Sequence, residues 1–541
     1  MLNKGKKTKE TYNGQDFFQL LQASTQWLDE NANFINSLNV FPVPDGDTGT
    51  NMVLTLKTAL REAEKTLNES VEKVSKAIAY GALLGARGNS GVILSQYLSG
   101  LAQALDQTDV LDSTNLPNAL VMAAQAARKA MSNPVEGTMI TVARVAGEAS
   151  KLVSSGSFSD QLMAAAKGAE EAVEKTPEQL DVLKKAGVVD SGGKGLALIL
   201  RAAANYHMGI DLGAPTQSIA PIYIDQNWIT ESDEDHWGFC TEFVLVNPIH
   251  KTPVIRKKME DFGESESFVE GENILRVHLH SRAPEDVIMA ANELGDLEQV
   301  AIRDMDQQQK IFVADHQGNK LDNQTGLVSV VTGPGLLKAM RSLGASAFIW
   351  GGRTMNPSTE EILEAIESIP YSDVIILPNN KNTIAACQMA KQLTKKRLEI
   401  IGTESMTQGI ASLISFVENE SLESNKKRIQ EALNDLSWGE VAEATRSGTN
   451  ENISYSAGDS IGYSEGRLVT AAKDPVDCVM NLLSHIEPEA ESICTLYCGT
   501  GAVEQEINRL ANLIGAKWPE IELELIDGGH PVYRYMVAIE Q

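Results

Sequence analysis

The spacing of apolar residues changes character once along this chain of 541 residues, and that change restricts the folds open to it. From Tyr12 to about Gly209, alanine-rich stretches repeat with the period of a helix and are separated by Gly, Asn and Pro. After His236, β-branched residues alternate as they do in strands, for instance at 241–246 and 274–280. The pattern therefore predicts an all-α helical bundle or barrel followed by α/β structure.

The chain is too long for one hydrophobic core, so we expect several domains. A polar, acidic stretch containing prolines predicts a linker at 211–235. It separates an N-terminal helical domain at 1–210 from a small middle α/β domain at 236–323 and a C-terminal α/β domain at 324–541. In the last domain, strands and helices alternate from Gly326, which predicts a parallel sheet, and the residues from Val441 are expected to close the same region. Polar loops follow three of its predicted strands, at 332–335, 351–358 and 378–382, where open α/β sheets place binding sites.

The charge of the chain limits its partners. Acidic residues outnumber basic ones by 73 to 46, and the resulting net charge of -27 repels nucleic-acid phosphates, so nucleic acid is not an expected partner. No apolar run approaches the roughly 18 residues of a spanning helix, so we expect no integral membrane segment. The lysines at 4–9 are not followed by an apolar signal region. Five irregularly spaced cysteines do not form a disulfide framework, and a reducing, cytoplasmic location is expected.

Two aspartates lie close together in the segment Asn39–Met52. Prolines stiffen the approach to Asp45 and Asp47, and the glycines beside them permit a tight turn. Crowded carboxylates repel each other unless a cation lies between them, and Mg²⁺ accepts carboxylate and amide oxygens. Asp45, Asp47 and Asn39 are therefore candidate magnesium ligands and catalytic residues. The alternative is an ordinary capped turn, which the Asp-Gly-Asp tripeptide alone does not exclude.

A second glycine-rich segment, Gly85–Gln96, opens a predicted helix. The free backbone N–H groups of such a helix start attract phosphate, and Asn89, Ser90 and Gly91 occupy this position. Ser90 adds a hydroxyl donor. The segment is not a Walker loop, because Gly-Lys-Ser/Thr at the required spacing is absent.

Two further segments, at 134–140 and 187–195, also fall at predicted helix junctions. In the first, Thr138 is placed to donate to a phosphate and Met139 to pack against a flat purine ring. The second is a flexible loop before an apolar helix. Either segment alone would be interpreted as a plain helix–helix connection.

Taken in this order, the four segments resemble the nucleotide-binding (DhaL) domain of the dihydroxyacetone kinase superfamily. The full lengths of the first two, Asn39–Met52 and Gly85–Gln96, resemble its fatty acid kinase branch. The loops 351–358 and 378–382 resemble the C-terminal domain of the ATP-binding component in that branch, so the resemblance covers most of the chain. It implies an α-helical barrel that binds ATP at one end through Mg²⁺, with the loop at Asp190 and Gly192 closing on the nucleotide. One departure is Asn39, which stands where the dihydroxyacetone branch has an aspartate.

The resemblance also implies a reaction and a partner. The γ-phosphoryl group of Mg-ATP would pass to the carboxylate of a fatty acid held by a separate DegV-type binding protein, giving an acyl phosphate. Such a transfer needs fixed phosphates and an acceptor in line rather than a protein nucleophile. The C-terminal domain, with its loop at 528–533, is then expected to dock the carrier, and a homodimer is also considered.

The middle domain contains a candidate zinc site. His278 and His280 lie two residues apart on a predicted strand, so their side chains point to the same face. Cys240, on or beside another predicted strand, completes a Cys–His–His set, and His236 is a further candidate. The alternative is a pair of exposed histidines and a small core cysteine. The resemblance favours zinc, since the related ATP-binding proteins of the fatty acid kinase branch have a cysteine and a His-x-His pair as ligands.

Two other functions stay open at this point. A self-contained kinase for dihydroxyacetone or another small polyol would need a histidine that forms a covalent adduct, and the choices are His316, His485 and His530. A non-catalytic, ATP-sensing scaffold would bind the carrier without turnover.

Overall fold

A computed structural model describes residues 9–131, 134–210, 238–271, 273–316, 324–450 and 453–540. The predicted linker at 211–235 and His236 lie outside these residues. Among the residues described, no helix combines the length and the apolar character that crossing a membrane requires.

The chain divides into two compact units. The first unit comprises Met1–Arg282, Ala291–Glu298 and Asp304–Leu321. The second unit comprises Ala283–Ala290, Gln299–Arg303 and Asp322–Gln541. The three domain boundaries drawn from the sequence stay a prediction.

Helices make up the N-terminal part of the first unit. Its helices α1 to α11 are Gly14–Glu30, Ala32–Asn36, Thr48–Ala63, Val71–Gly85, Gly88–Ala104, Leu116–Ala130, Met139–Leu152, Phe158–Glu174, Thr176–Gln179, Asp181–Ala186 and Ser191–Met208. A 3-10 turn at Glu64–Thr66 follows α3, and two short strands, β1 (Thr11–Tyr12) and β2 (Leu111–Asp112), pair antiparallel.

The eight longest of these described helices pack side by side into a closed ring, in the order α1, α3, α4, α5, α6, α7, α8 and α11. Their apolar faces form one core, in which Leu28, Leu56 and Phe158 are fully buried. Small residues let neighbouring helices approach closely. A Cβ at Gly100 of α5, for example, would lie 2.6 Å from the backbone oxygen of Met122 on α6. The helical barrel predicted for this part of the chain is confirmed.

Three antiparallel strands follow within the first unit. Strands β3 (Phe239–Val246), β4 (Glu264–Glu270) and β5 (Ile274–Ser281) pair in the order β3, β5, β4. In this register Cys240 lies opposite His280 and Glu242 opposite His278. The alternation of β-branched residues thus predicted the strands that carry the candidate zinc ligands. The remaining elements of this stretch are α12 (Thr252–Met259), α13 (Pro284–Asn292), β6 (Asp296–Asp304) and α14 (Met305–His316).

The second unit contains the parallel sheet that the sequence predicted. Strands β7 (Thr325–Val331), β8 (Ala347–Trp350), β9 (Asp373–Leu377) and β10 (Arg397–Ile400) pair in parallel in the order β10, β9, β7, β8. The loops at 332–335, 351–358 and 378–382 follow β7, β8 and β9, as expected. Helices α15 to α19 are Pro334–Arg341, Thr359–Ser368, Thr383–Leu393, Met406–Ile414 and Leu422–Asn434.

The residues from Val441 belong to the same unit as the parallel sheet, as expected, but they do not extend that sheet. They build a separate sheet of six described strands in the order β15, β14, β11, β18, β16, β17, which is antiparallel except for the pair β16–β17. Its elements are β11 (Leu436–Glu443), β12 (Gly448–Asn450), β13 (Ile453–Tyr455), β14 (Ser460–Ser464), β15 (Arg467–Ala472), α20 (Pro475–Ile486), β16 (Ile493–Cys498), α21 (Glu504–Lys517), β17 (Glu522–Asp527) and β18 (Tyr533–Glu540). Cys494 and Cys498 lie in its hydrophobic core, as buried residues.

The buried carboxyl of Glu440 on β11 predicts a pH-dependent stability for the second unit. Burial raises its pKa to about 8, against a hydrogen bond with Tyr533 that lowers it. The folded chain therefore retains a proton that the unfolded chain releases above its ordinary pKa of 4.5, so the stability contributed at this position falls as pH rises from 4.5 to 8. Glu440→Gln has no carboxyl group to titrate at this position. We expect its free energy of unfolding, relative to that of wild type, to be higher at pH 8 than at pH 5 by on the order of 1–3 kcal/mol.

Urea unfolding of the full chain at pH 5 and pH 8 measures this difference. Glu443→Gln, at the exposed end of the same strand, is the matched control and should follow wild type. A Glu440→Gln curve that runs parallel to wild type across this pH range would contradict the assignment.

Candidate active site

The loop that carries the Asp-Gly-Asp tripeptide leads directly into α3. Asp45 and Asp47 are both half-buried. Asp47 is the N-cap residue of α3, yet its side chain makes no capping hydrogen bond. The side chain of Asn36 supplies that cap instead, because its Oδ1 accepts from the backbone N–H of Gly49 at 2.7 Å and of Thr50 at 3.2 Å. The carboxylate of Asp47 is therefore not used in capping and can serve a ligand.

Asn39 links this loop to the start of α11. Its side chain is buried, its Nδ2 donates to Oδ1 of Asp45, and its Oδ1 lies 3.4 Å from Oγ of Ser191. Ser191 also donates to Oγ1 of Thr48 at 3.1 Å. The structure thus brings Asn39 and Asp45 together. A hydrogen-bonded chain connects them to the loop that contains Asp190.

Of the three residues predicted to face phosphate at the glycine-rich turn between α4 and α5, two line a cavity. Gly88 begins α5 with a φ of 57°, a conformation that favours glycine. Asn89 and Ser90 follow and line a cavity. Gly91 does not line that cavity, because its N–H donates to the backbone oxygen of Arg87 at 2.9 Å within the helix. A Cβ at Gly91 would overlap Oγ1 of Thr55, so close packing against α3 also requires this glycine.

The starts of α7 and α11 meet at the same cavity. Thr138 is the N-cap residue of α7, and its hydroxyl donates to the backbone oxygen of Val135 at 2.7 Å, so its oxygen is what can face a ligand. Asp190 caps α11 by accepting from the N–H of Gly193 at 2.6 Å. Burial raises the pKa of Asp190 to about 7, while hydrogen bonds from the N–H groups of Gly193 and Met139 lower it. Asp190 therefore ties the start of α11 to the start of α7.

The cavity has a volume of about 520 Å³, which is in the usual range for a nucleotide-sized ligand. Six of the residues predicted to contact nucleotide line it: Asn89, Ser90, Thr138, Met139, Asp190 and Gly192. Asn39, Asp45 and Asp47 are not among its lining residues. The sequence did not single out the other lining residues. Phe41, Pro42, Ile93, Val135, Ile140 and Ser191 lie within the four segments, whereas Met131, Gly263 and Glu264 lie outside them.

The three candidate zinc ligands lie together in the sheet of the first unit. One ligand atom from each of Cys240, His278 and His280 falls within 4.8 Å of the others. Nε2 of His278 is 3.1 Å from Nε2 of His280, and Sγ of Cys240 is 3.6 Å from Nδ1 of His278. Burial lowers the pKa of His280, which favours the neutral imidazole that a metal needs. Thiol and imidazole groups at this spacing fit a zinc ion.

Family models match three consecutive parts of the chain. A DAK2 domain model matches residues 42–205, the middle-domain model of FakA-like fatty acid kinase proteins matches 236–311, and the C-terminal model of the same proteins matches 326–540. Curated relatives match almost end to end. An uncharacterised protein of Staphylococcus saprophyticus is 33% identical over 97% of this chain and 99% of its own length. Protein YloV of Bacillus subtilis is 32% identical over 98% of this chain and 99% of its own length.

Solved structures resemble parts of the chain more distantly. Dihydroxyacetone kinase from C. freundii in complex with AMP-PNP and Mg²⁺ is 11% identical over 53% of this chain and 55% of that chain, with a TM-score of 0.33. The Streptococcus pneumoniae fatty acid kinase B3 protein loaded with linoleic acid is 11% identical over 34% of this chain and 76% of that chain, with a TM-score of 0.27. At these scores the likeness carries no inference about this chain.

The helical barrel with its DAK2 match, followed by the two α/β regions, defines a phosphotransferase of the dihydroxyacetone kinase type. With the middle and C-terminal matches added, the chain belongs to the FakA-like fatty acid kinase family.

Proposed function

We propose that this chain transfers the γ-phosphoryl group of Mg-ATP to the carboxylate of a fatty acid held by a separate DegV-type binding protein. The observation that carries the proposal is the cavity at which the starts of α5, α7 and α11 converge. Three helix starts concentrate backbone N–H groups and positive dipole ends around one ligand, which suits a triphosphate. Family membership supports the fatty acid as acceptor.

In this proposal Asp45, Asp47 and Asn39 hold Mg²⁺ beside the cavity. Bound Mg²⁺ would neutralise charge on the phosphate oxygens during transfer. Asn89 and Ser90 face the phosphates. The side-chain oxygen Oδ1 of Asn89 accepts no hydrogen bond from the described residues, so it is available to a ligand or its metal.

The other predicted contacts have different roles. The buried thioether of Met139 and the ring of Phe41 line the cavity and suit the purine. Asp190 and Gly192 form the cavity wall at the start of α11, where Asp190 holds the loop in place through Gly193. Gly91 keeps α5 close to α3 rather than touching nucleotide.

The chemistry requires little of the protein beyond positioning. An oxygen of the fatty acid carboxylate attacks the γ-phosphorus in line, the bond from that phosphorus to the β–γ bridging oxygen breaks, and ADP leaves with the electron pair. The products are an acyl phosphate and ADP, and no proton has to move. A protein nucleophile is therefore not part of the proposed reaction.

Docking of the carrier is assigned to the second unit. There the loop at 332–335 lies against the loop at 528–533, since Leu336 N–H donates to the backbone oxygen of Gly528 at 3.0 Å. A Cβ at Gly333 would lie 3.1 Å from the backbone nitrogen of His530. The two loops therefore pack against each other, and we propose that the carrier docks beside them.

The candidate histidines support a self-contained dihydroxyacetone kinase less well than the cavity supports the two-component reaction. The ring nitrogens of His316 lie 2.7 Å and 3.0 Å from the backbone oxygens of Phe312 and Ser37. Nδ1 of His530 accepts from the N–H groups of Val532 and Tyr533, and the ring is buried. These contacts occupy both ring nitrogens of His316 and Nδ1 of His530.

ADP release by the full chain, measured with each candidate acceptor, tests the proposal. With ATP, Mg²⁺ and a DegV-type protein loaded with a fatty acid, we expect turnover that stops when either the carrier or the fatty acid is left out. Turnover on dihydroxyacetone without a carrier would overturn the assignment of the acceptor. Nucleotide binding with no turnover on either acceptor would favour the scaffold.

We also propose that Cys240, His278 and His280 bind Zn²⁺. His280→Ala removes one imidazole of the pair, and we expect the zinc content of the purified full chain to fall from about one ion per chain to near zero. His250→Ala, an exposed histidine after β3, is the matched control and should retain its zinc. Elemental analysis measures both. Unchanged zinc in His280→Ala would show that the cluster does not hold the ion.

A further inference from the structure

A buried glutamate, Glu242 on β3, lies between the histidine pair and the start of α5. Its side chain is 1% exposed. One oxygen, Oε1, is 2.9 Å from Nδ1 of His278 and accepts a hydrogen bond from the backbone N–H of Gly88 at 2.5 Å. A carboxylate this deeply buried needs such donors, because an ionised group is costly away from water. Glu242 thus contacts the imidazole of His278 on one side and the backbone N–H of Gly88 on the other.

On the imidazole side, Glu242 sets the orientation of His278. A ring that donates its Nδ1–H to Oε1 has its lone pair on Nε2, and Nε2 is the atom that lies 3.1 Å from Nε2 of His280. A carboxylate acceptor behind a histidine fixes both tautomer and ring angle in this way at metal sites. Glu242 therefore prepares His278 to share a cation with His280.

On the barrel side, Glu242 fixes the first residue of α5. Gly88 N–H is one of the helix-start donors without a partner inside the helix, and Glu242 satisfies it. The next two residues, Asn89 and Ser90, line the cavity. A shift of Gly88 would therefore move the turn that is proposed to face the phosphates.

Neighbouring contacts hold the same turn against the same sheet. Nη1 of Arg276 on β5 donates to the backbone oxygen of Leu84 at 2.6 Å. Leu83, Ala86 and Val92 pack against Val269 in one apolar cluster. The turn is thus fixed on the sheet on both sides of Gly88, and Glu242 is the contact that also reaches the histidines.

We infer that Glu242 is a positioning residue that couples metal binding at Cys240, His278 and His280 to nucleotide binding in the cavity. The inference rests on the proposed function, and it adds a linkage between its two sites. With the metal bound, His278 is locked, Glu242 is held in one place and the start of α5 is ordered for phosphate. By reciprocity, bound nucleotide tightens the metal site by the same factor.

The test measures binding of Mg-AMP-PNP to the full chain with zinc bound and after zinc is removed by a chelator. In wild type, zinc is expected to tighten nucleotide binding by about fivefold or more. Glu242→Gln keeps the size of the side chain but loses the charge that two donors share. We expect its zinc affinity to fall about 10- to 100-fold, and the effect of saturating zinc on nucleotide affinity to shrink below about twofold.

Glu270→Gln, on the exposed end of β4 in the same sheet, is the matched control and should behave as wild type. If Glu242→Gln does not fold, Glu242→Asp keeps the charge on a shorter side chain and should show the same reduced linkage. An effect of zinc in the folded Glu242 variant as large as in wild type would overturn the inference, as would wild type that binds both ligands without linkage. Failure of wild type to bind nucleotide at all would instead count against the proposed function.

Discussion

Replacing Asp47 by alanine is expected to reduce ATP turnover by about a thousandfold or more, because a lost carboxylate ligand removes several kcal/mol of metal-dependent stabilisation of the transition state. The same loss is expected for Asp45→Ala. Asp47 makes no capping hydrogen bond, and Asn36 satisfies the first amides of α3, so Asp47→Ala should unfold at the wild-type temperature. Carrier-dependent ADP release and thermal unfolding of the full chain measure the two expectations.

Two further variants make this prediction specific. Asp47→Asn keeps the shape and one oxygen of the side chain but loses its charge, so it should retain more activity than alanine and need more Mg²⁺. Asp181→Ala, an exposed aspartate at the start of α10, should leave turnover unchanged. Wild-type turnover in Asp47→Ala would refute the magnesium assignment.

Gly335→Ala is expected to have the largest effect on stability, a loss of more than about 4 kcal/mol in the second unit. A Cβ at Gly335 would overlap the backbone oxygen of Asp527 and lie 2.8 Å from its carbonyl carbon. Backbone atoms cannot move aside by a change of rotamer, so α15 or the end of β17 would have to shift. The loops at 332–335 and 528–533 would then separate.

Gly515→Ala is the matched control for this substitution. Gly515 lies in α21 of the same unit, and a Cβ there would meet no atom within 4 Å. Alanine at this position should be neutral or stabilise the helix by about 0.5–1 kcal/mol. Urea unfolding of both variants compares them, and a Gly335→Ala protein as stable as Gly515→Ala would show that the two loops are not packed as described.

Most of the fold could be predicted from the period of the apolar residues. The helix Thr359–Ser368 and the strand Ala347–Trp350, for example, each lie between clear turn signals in the sequence. The separate six-stranded sheet was not foreseen. Its strands pair across long stretches of sequence, as β11 does with β18, and local alternation does not specify such partners.

The sequence likewise indicated some residues of the candidate site and not others. Short glycine-bearing segments indicated Asn89, Thr138 and Asp190, since helix starts are local features of sequence. Asn36 and Glu242 had no comparable signal, because each acts on a residue outside its own segment. The partner of Glu242 at Gly88, for example, is 154 positions away.

Labelled phosphate shows whether the fatty acid accepts the γ-phosphoryl group of ATP. The full chain would be incubated with Mg-ATP labelled in its γ-phosphoryl group and with a DegV-type carrier loaded with a fatty acid, and the lipid would then be trapped with hydroxylamine and analysed. Our expectation is that one labelled phosphoryl group is lost from ATP for each fatty acyl hydroxamate formed, and that Asp47→Ala shows neither change. Hydrolysis of ATP to free phosphate at the same rate without the fatty acid, and with no hydroxamate, would contradict it.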